Sequence, residues 1–426
     1  MSSTDTLSAR CIATTGDSFC KTIDECASAW SFRSHHRGRD AGDESNFFQE
    51  ARFSGDGTTI VTHSADQCLR TFVLPNDLLD ESKQPHALGA HSTGSSPSNL
   101  QAYDLYPSFT LQDPSTTLVL SASVDQPITL RNVLDYSTVH AKYQHAHKTT
   151  EAYIRSNSLA FTRDGRHFIA GSKNALSIFD CTRDTSGPSS VRLTSASRKA
   201  QKLYGAMSMG CKGIVSALSI SHDGILAAGT TQREIALYGN DGRGECVTAF
   251  ATADPHAGRS EPGSGITGLK WSPCARYLMI AERQCDSIQV YDVRKTMQRV
   301  SRLTGRKADT TQKLGMDVVP TANGYEIWAG GLDGSVRMWS NPGSKDGAHT
   351  PDAGMRLHDD PVTSAIWHPS AAVLATCSGQ RFPDTEVEDR PLSGSESDSE
   401  SDGGKQVTLY PEQRSMPDNK LEIWLA

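Results

Sequence analysis

Nowhere in the 426-residue chain does an apolar run approach the roughly 18 residues that a bilayer-crossing helix needs, so no membrane span is expected. The first twenty residues lack a basic start followed by an apolar segment, which argues against a secretory signal there. Ten cysteines are scattered singly, without a Cys-x-x-Cys pair or histidines at zinc-finger spacing, so neither a disulfide framework nor a zinc site is expected. That usage suits a reducing nucleus or cytosol, with Cys68, Cys285 and Cys377 serving as small apolar filler in strands. No Gly-rich phosphate loop stands in a strand-to-helix context and no Ser-His-Asp order appears; His145-x-His147 and His35-His36 have no further ligands nearby in sequence. The expectation is a protein without catalytic residues, metal or cofactor.

What the chain has instead is a recurring phrase. Gly331-Leu332-Asp333-Gly334-Ser335-Val336-Arg337-Met338-Trp339 and Cys285-Asp286-Ser287-Ile288-Gln289-Val290-Tyr291-Asp292 each run from a tight polar turn into an alternating strand ending on or beside an aromatic residue. About seven copies, at a period of about 40–60 residues, indicate sheets that bury their faces only against their neighbours. The phrases read as degenerate WD40 units, and the predicted fold is an all-β, seven-bladed WD40 β-propeller with loop insertions. Such a ring supplies a platform of loops, so function depends on what sits on it.

The first unit covers residues 47–53, the turn Ser54-Gly55-Asp56-Gly57, residues 58–63, a second turn at Ser64-Ala65-Asp66 and residues 69–73. Asp-Gly supplies the positive φ of a hairpin, and Pro75 cannot donate to a ladder, so both punctuate the unit. Further units follow at 118–132, 158–180, 214–238, 266–291, about 315–339 and 362–377. The last unit recovers its next strand only at 421–425, after a Ser/Asp/Glu-rich insertion at 384–418 whose composition predicts a disordered acidic loop. Residues 1–26 read as a polar tail and 27–426 as one propeller, with the alternating segment 27–33 around Trp30 expected to join the last blade and close the ring. Segments 76–101, 182–212 and 341–359, rich in Ser, Gly, Pro and charge, read as mobile loops between blades.

Forty-two basic against 49 acidic residues give a formal charge of −7, but the distribution is uneven. Asp384, Glu386, Glu388, Asp389, Glu396, Asp398, Glu400 and Asp402 face only Arg381 and Arg390, which places about −6 in the acidic insertion and leaves the ring near neutral. The most basic stretch is 276–313, and its Arg283, Arg294, Lys295, Arg299, Arg306 and Lys307 are the candidates for neutralising the phosphates of an RNA. Asp66, Asp125 and Asp333 in the turns, with His256 before the fifth blade, are candidates for an internal network that stitches blades together. Ser395, Ser397 and Ser399 alternate with acids in a pattern that acid-directed kinases favour.

Several phrases exceed a generic repeat. Asn46-Phe47-Phe48 leads to Ser64-Ala65-Asp66-Gln67-Cys68-Leu69-Arg70, and Tyr103-Asp104-Leu105-Tyr106-Pro107, Gln126-Pro127-Ile128 and Gly213-Ile214-Val215-Ser216 follow. Ser378-Gly379-Gln380-Arg381-Phe382-Pro383 then precedes the acidic insertion and a terminal Leu-x-Ile-Trp strand. From about Asn46 onward the chain resembles the telomerase Cajal body protein family, of a fungal type. The resemblance implies a nuclear scaffold that binds small noncoding RNA (small Cajal body RNA of the H/ACA class, telomerase RNA or spliceosomal small nuclear RNA), monomeric within a larger complex of ribonucleoprotein particle proteins. Leu130-Arg131-Asn132 departs from the usual aromatic-Asp ending of the strand, as does Tyr238-Gly239. A reading of another class rests on Val290-Tyr291-Asp292-Val293-Arg294, which resembles the phrase by which WD40 receptors dock on cullin-type ubiquitin ligases, or generic protein adaptors.

Overall fold

Seven antiparallel sheets stand around an axis in the computed structural model, which describes residues 5–6, 8–16, 45–195, 210–252, 262–295, 298–381, 385–387, 411–413 and 417–425. The innermost strands are Phe48–Phe53, Leu100–Leu105, Ser158–Phe161, Val215–Ile220, Ile266–Trp271, Met316–Thr321 and Val362–Trp367. They line a central channel of about 630 Å³. Blades 1, 3 and 4 pass from first to second strand by a shared device, a Ser or Thr whose hydroxyl bonds the Asp two residues on. Ser54 donates to Asp56 at 2.6 Å, Thr162 to Asp164 at 2.6 Å, and Ser221 to Asp223. A glycine follows the Asp in each of these turns, Gly57, Gly165 and Gly224, at a positive φ, +65° at Gly165, that a side chain rarely tolerates.

The third strands are Cys68–Val73, Ile128–Asn132, Ala175–Asp180, Glu234–Tyr238, Ile288–Asp292, Ser335–Ser340 and Leu421–Leu425. One register position recurs through them, opposite an apolar residue of the second strand. It holds Phe72 across from Ile60, Phe179 from Phe168, Tyr238 from Leu226, Tyr291 from Leu278, Trp339 from Ile327 and Trp424 from Leu374. These rings pack on the preceding blade: Phe72 against Ile12 and Ile423 of blade 7, Phe179 against Leu120 and Tyr143 of blade 2, and Trp339 against Met279 and Val290 of blade 5. A buried ring of this size stabilises by roughly 1.5–3 kcal/mol through area alone. In blade 2 the same position, across from Val119, is Arg131.

Ring closure differs from the expectation. Residues 27–33 lie outside the described residues, and the place beside Leu421–Leu425 is held by Arg10–Thr14, paired antiparallel from Arg10 against Leu425 to Thr14 against Glu422. Ile12 and Ala13 are fully buried there, within one cluster that includes Phe48, Ile60, Phe72 and Ile423. Only three residues of this strand, Cys11, Ile12 and Ala13, are apolar or small, flanked by charge and hydroxyls, so the segment reads as part of a polar tail.

The supposed interblade loops also carry structure. Ser92–Ser95, Ser190–Leu193 and Ala353–Arg356, inside the segments 76–101, 182–212 and 341–359, are the outer strands of blades 1, 3 and 6. Two of these segments also throw a short parallel strand across the previous blade's outer edge: His86–Ala87 onto Arg10–Thr14 of blade 7, and Gly347–His349 onto Gln298–Leu303 of blade 5. Asp5–Thr6 covers blade 6 in the same way. Backbone groups that an edge strand would leave open are thus paired within the molecule. Of the acidic insertion, Thr385–Val387 and Pro411–Gln413 pair antiparallel, and Ser395, Ser397 and Ser399 lie outside the described residues.

Ile12→Ala should cost about 2–5 kcal/mol, the range for truncating a buried aliphatic side chain, measured as the shift in urea unfolding. A change within about 0.5 kcal/mol, the scale of surface substitutions, would refute the closing role of this segment.

Candidate nucleic-acid interface

Because strands alternate in direction, the propeller has two unlike rims. The lower rim carries the first-to-second and third-to-outer turns; the upper rim carries the second-to-third turns and the connections between blades. Six-residue strands at about 3.3 Å per residue put these rims roughly 20 Å apart. That separation divides the basic stretch.

Arg283 lies in the second-to-third turn of blade 5 and Lys307 in the connection to blade 6, both exposed on the upper rim. Backbone bonds join these loops, Gln284 N to Thr310 O at 2.9 Å and Leu332 N to Lys307 O at 2.9 Å. Arg294 and Lys295 sit on the lower rim, where Val293 N donates to Arg276 O at 3.0 Å. The Arg294 guanidinium folds back on Asp292, Nη2 to Oδ2 at 2.8 Å and Nε to Oδ1 at 3.1 Å. Arg299 is half-buried in the outer strand Gln298–Leu303. Arg306 reaches no surface at all: only 1% exposed, it donates from Nε to Gly330 O at 3.0 Å and from Nη2 to Leu314 O at 2.7 Å and Gly315 O at 2.9 Å. Burial lowers its pKa to about 10. Arg306 is therefore a clamp on the blade 5–6 connection, and its expected role on phosphates is corrected.

The turn carboxylates divide by what stands four residues on. Asp66 bridges Arg70, Nη1 to Oδ1 at 3.0 Å, and caps Cys68 N at 3.2 Å. Asp333 bridges Arg337, Nη2 to Oδ2 at 2.6 Å, and Lys307 at 3.2 Å. Burial alone would raise the Asp333 carboxyl, but Arg337 and Lys307 hold it well below the usual range. Asp125 has Thr129 at that spacing instead of arginine and stays exposed in a left-handed turn, φ +56°. His256 lies outside the described residues.

Two other histidines tie the connection that enters a blade to that blade. In blade 7, Trp424 Nε1 donates to Thr376 Oγ1 at 2.8 Å, which lies 2.7 Å from His358 Nε2, while His358 Nδ1 stands 3.3 Å from Asp418. His145, which has no further ligands nearby in sequence, is 1% exposed, its ring nitrogens 2.7 Å from Ser156 Oγ and 2.9 Å from Ser177 Oγ. Only the tertiary fold brings these hydroxyls to the rings, so spacing in sequence carries no sign of them.

Both rims carry exposed charge of each sign, Arg166, Arg183, Arg276 and Lys295 standing with the carboxylates of the lower rim and Asp125, Glu151 and Asp286 with the cations of the upper. On the lower rim, hydroxyl and backbone N–H donors hold Asp113, Asp135, Asp164 and Asp180 below the usual carboxylate range, led by Ser115, Ser137, Thr162 and Thr182 respectively. On the upper rim, Arg155, Lys173, Lys212 and Arg283 are exposed and, among the described residues, have no carboxylate partner. The channel between is charge-balanced. Arg52 bridges Glu50 at 2.9 Å and Asp104 at 2.5 Å, Lys313 bridges Glu50 at 2.8 Å, and Lys270 bridges Asp317 at 2.9 Å. Asp104 and Asp317 also accept backbone N–H bonds from the next blade, Phe161 at 2.8 Å and Trp367 at 2.9 Å. Those pairs fasten neighbouring blades and leave the channel no excess positive charge.

Seven such blades define a WD40 β-propeller, and among the described residues no group of three or more His, Cys, Asp or Glu is placed to hold a metal. No model of a known family matches the chain. It is 33% identical over 301 residues to guanine nucleotide-binding protein negative regulator 1 of Schizosaccharomyces pombe, covering 70% of this chain and 71% of that protein. Human telomerase Cajal body protein 1 is 27% identical over 347 residues, 80% of this chain, and the Drosophila melanogaster homologue 24% over 380 residues, 87% of this chain. The chain spans 58% of the human protein's length and 62% of the fly protein's. It belongs to the telomerase Cajal body protein family, as a fungal-type member.

Stability should fall on acidification between pH 6.5 and about 4. Burial lowers the pKa of both His63 and His145 to about 4, so across that window the unfolded chain takes up protons that the folded chain refuses. The stability these neutral rings provide is complete above pH 6.5, declines as pH falls, and changes no further below about 4 from this source. Urea unfolding across pH 4–7 checks this, and His145→Asn should flatten the slope; an unchanged slope in the variant would remove His145 from the account.

Proposed function

We propose that this propeller is a non-catalytic nuclear scaffold that holds a small noncoding RNA on its upper rim while other surfaces engage ribonucleoprotein particle proteins. The relatives named for telomerase and the Cajal body make small nuclear RNAs of the H/ACA, telomerase or spliceosomal kinds the cargo to test first. The observation that supports the reading best is the run of exposed cations without a carboxylate partner among the described residues on the upper rim of blades 3 to 5, Arg155, Lys173, Lys212 and Arg283, set apart from the hydrogen-bonded turn carboxylates of the lower rim. A polyanion gains from the first and is repelled by the second. Of the six basic candidates, Arg283 and Lys307 stand on the favoured rim, whereas Arg294 and Lys295 stand on the other. Asp292 engages the Arg294 guanidinium, which weakens the ligase-receptor alternative that needs this arginine for a partner.

Crosslinking and sequencing of RNA from the native complex identifies the cargo. For affinity, Lys173→Gln, Lys212→Gln and Arg283→Gln should each weaken binding and reduce the slope of log K against log salt by about 1, or about 0.7 for an unpaired strand. Arg276→Gln with Lys295→Gln on the lower rim should leave both unchanged. Equal effects from the two sets, or recovery of cullin adaptor subunits with no enriched RNA, would overturn the proposal.

A further inference from the structure

The one non-aromatic member of the third-strand row marks a second polar site. Six blades place a ring there against the preceding blade, and blade 2 places Arg131. Between blades 1 and 2 the inner part of the interface is apolar, built on Val61, Leu69, Leu100, Tyr103 and Val119. Outward of it, where a ring would sit, a pocket of about 100 Å³ opens beside Arg131 and Lys142. No Asp or Glu lines it. Arg131 Nε is buried without a hydrogen-bond partner, and among the described residues neither the rest of that guanidinium nor Lys142 Nζ has a hydrogen-bond or ion-pair partner. Asp184, near Lys142 in the fold, has its Oδ1 held instead by the backbone N–H groups of Lys142 at 2.7 Å and Thr185 at 2.8 Å.

Two cations in a carboxylate-free recess call for an anion, since a buried guanidinium donor left unmade is costly. The wall supplies hydroxyls in two pairs, Ser121 with Thr129 at 2.9 Å and Ser96 with Ser123 at 2.6 Å. Each pair shares one hydrogen bond and so keeps one O–H to give to a ligand oxygen. We propose that this pocket binds a phosphate monoester, specifically the phosphorylated serine or threonine side chain of a partner polypeptide. Its charge of about −1.5 to −2 matches the two cations, and its oxygens match the convergent donors. The volume admits a tetrahedral group and its tether. A nucleotide fits less well, because base recognition uses an accessible aromatic face. The aromatic residue lining the pocket, Tyr136, is 7% exposed with its hydroxyl 2.9 Å from Thr71 Oγ1. This site is separate from the upper-rim cations of blades 3 to 5 and does not rest on the RNA reading.

Isothermal titration of the full chain with N-acetyl-O-phosphoserine amide, the unphosphorylated amide and adenosine 5′-monophosphate tests it. Saturable binding is expected for the phosphoserine derivative alone. Arg131→Gln and Lys142→Gln should each weaken it about tenfold, the loss of one charge-assisted contact. Lys142 is exposed, so its variant keeps the test valid if Arg131→Gln disturbs packing. Absence of saturable binding by the folded wild-type chain, indifference to both substitutions, or equal or tighter binding of the nucleotide would overturn the proposal.

Discussion

Closure of the ring is the constraint on which the remaining structure depends. A blade has no core of its own; its two faces are buried only by the blades on either side, so a ring with one open seam exposes apolar faces at both ends. The seam is sealed within blade 7, where Arg10–Thr14 from one end of the chain pairs with Leu421–Leu425 from the other. Ile12 enters the same cluster as Phe72 of blade 1 and Ile423 of blade 7, so the pairing and the packing reinforce one another. The Trp424–Thr376–His358–Asp418 chain of contacts lies in this blade too, fixing the second and third strands and the loop before them. Burial alone would raise the Asp418 carboxyl, yet His358 beside it holds it well below the ordinary range.

From closure follow two rims with different chemistry. Turns on the lower rim are built from Asp side chains that cap their own backbone, which fixes negative charge there as a by-product of making tight turns. Two upper-rim turns use their carboxylates internally, against Arg70 at Asp66 and against Arg337 at Asp333, whereas Asp125 stays exposed; Lys173 and Arg283 have no carboxylate partner among the described residues. The different settings of these turn carboxylates are thus a consequence of how the blades turn corners. Arg131 shows the complementary case, in which one exchange in a structural row converts a packing site into a polar recess.

The inner three strands of most blades were legible because alternation, Asp-Gly turns and terminal aromatics coincide, as in Ser158 to Asp180. Outer strands were not, because they are half exposed and so keep polar sequences; Ser92-Thr93-Gly94-Ser95 resembles a loop until it pairs with Cys68–Val73. Similarly, Arg10–Thr14 gains its meaning only from a partner more than 400 residues away, a relation that no local pattern records. The basic stretch was legible as a cluster in sequence but not as one in space, since a single strand carries Arg283 and Arg294 to opposite rims. Arg306 illustrates the sharper limit: a charged residue surrounded by polar sequence became buried because three backbone carbonyls needed a donor. His145 and His358 were hidden for the same reason, their hydroxyl partners being brought in by the fold.

Hydrogen exchange of the intact chain tests the central claim most directly. The amides of Arg10–Thr14 that pair with the last strand should exchange as slowly as those of Leu421–Leu425, in one cooperative unit. Rapid exchange of Arg10–Thr14 beside a protected Leu421–Leu425 would show that the ring is closed in some other way.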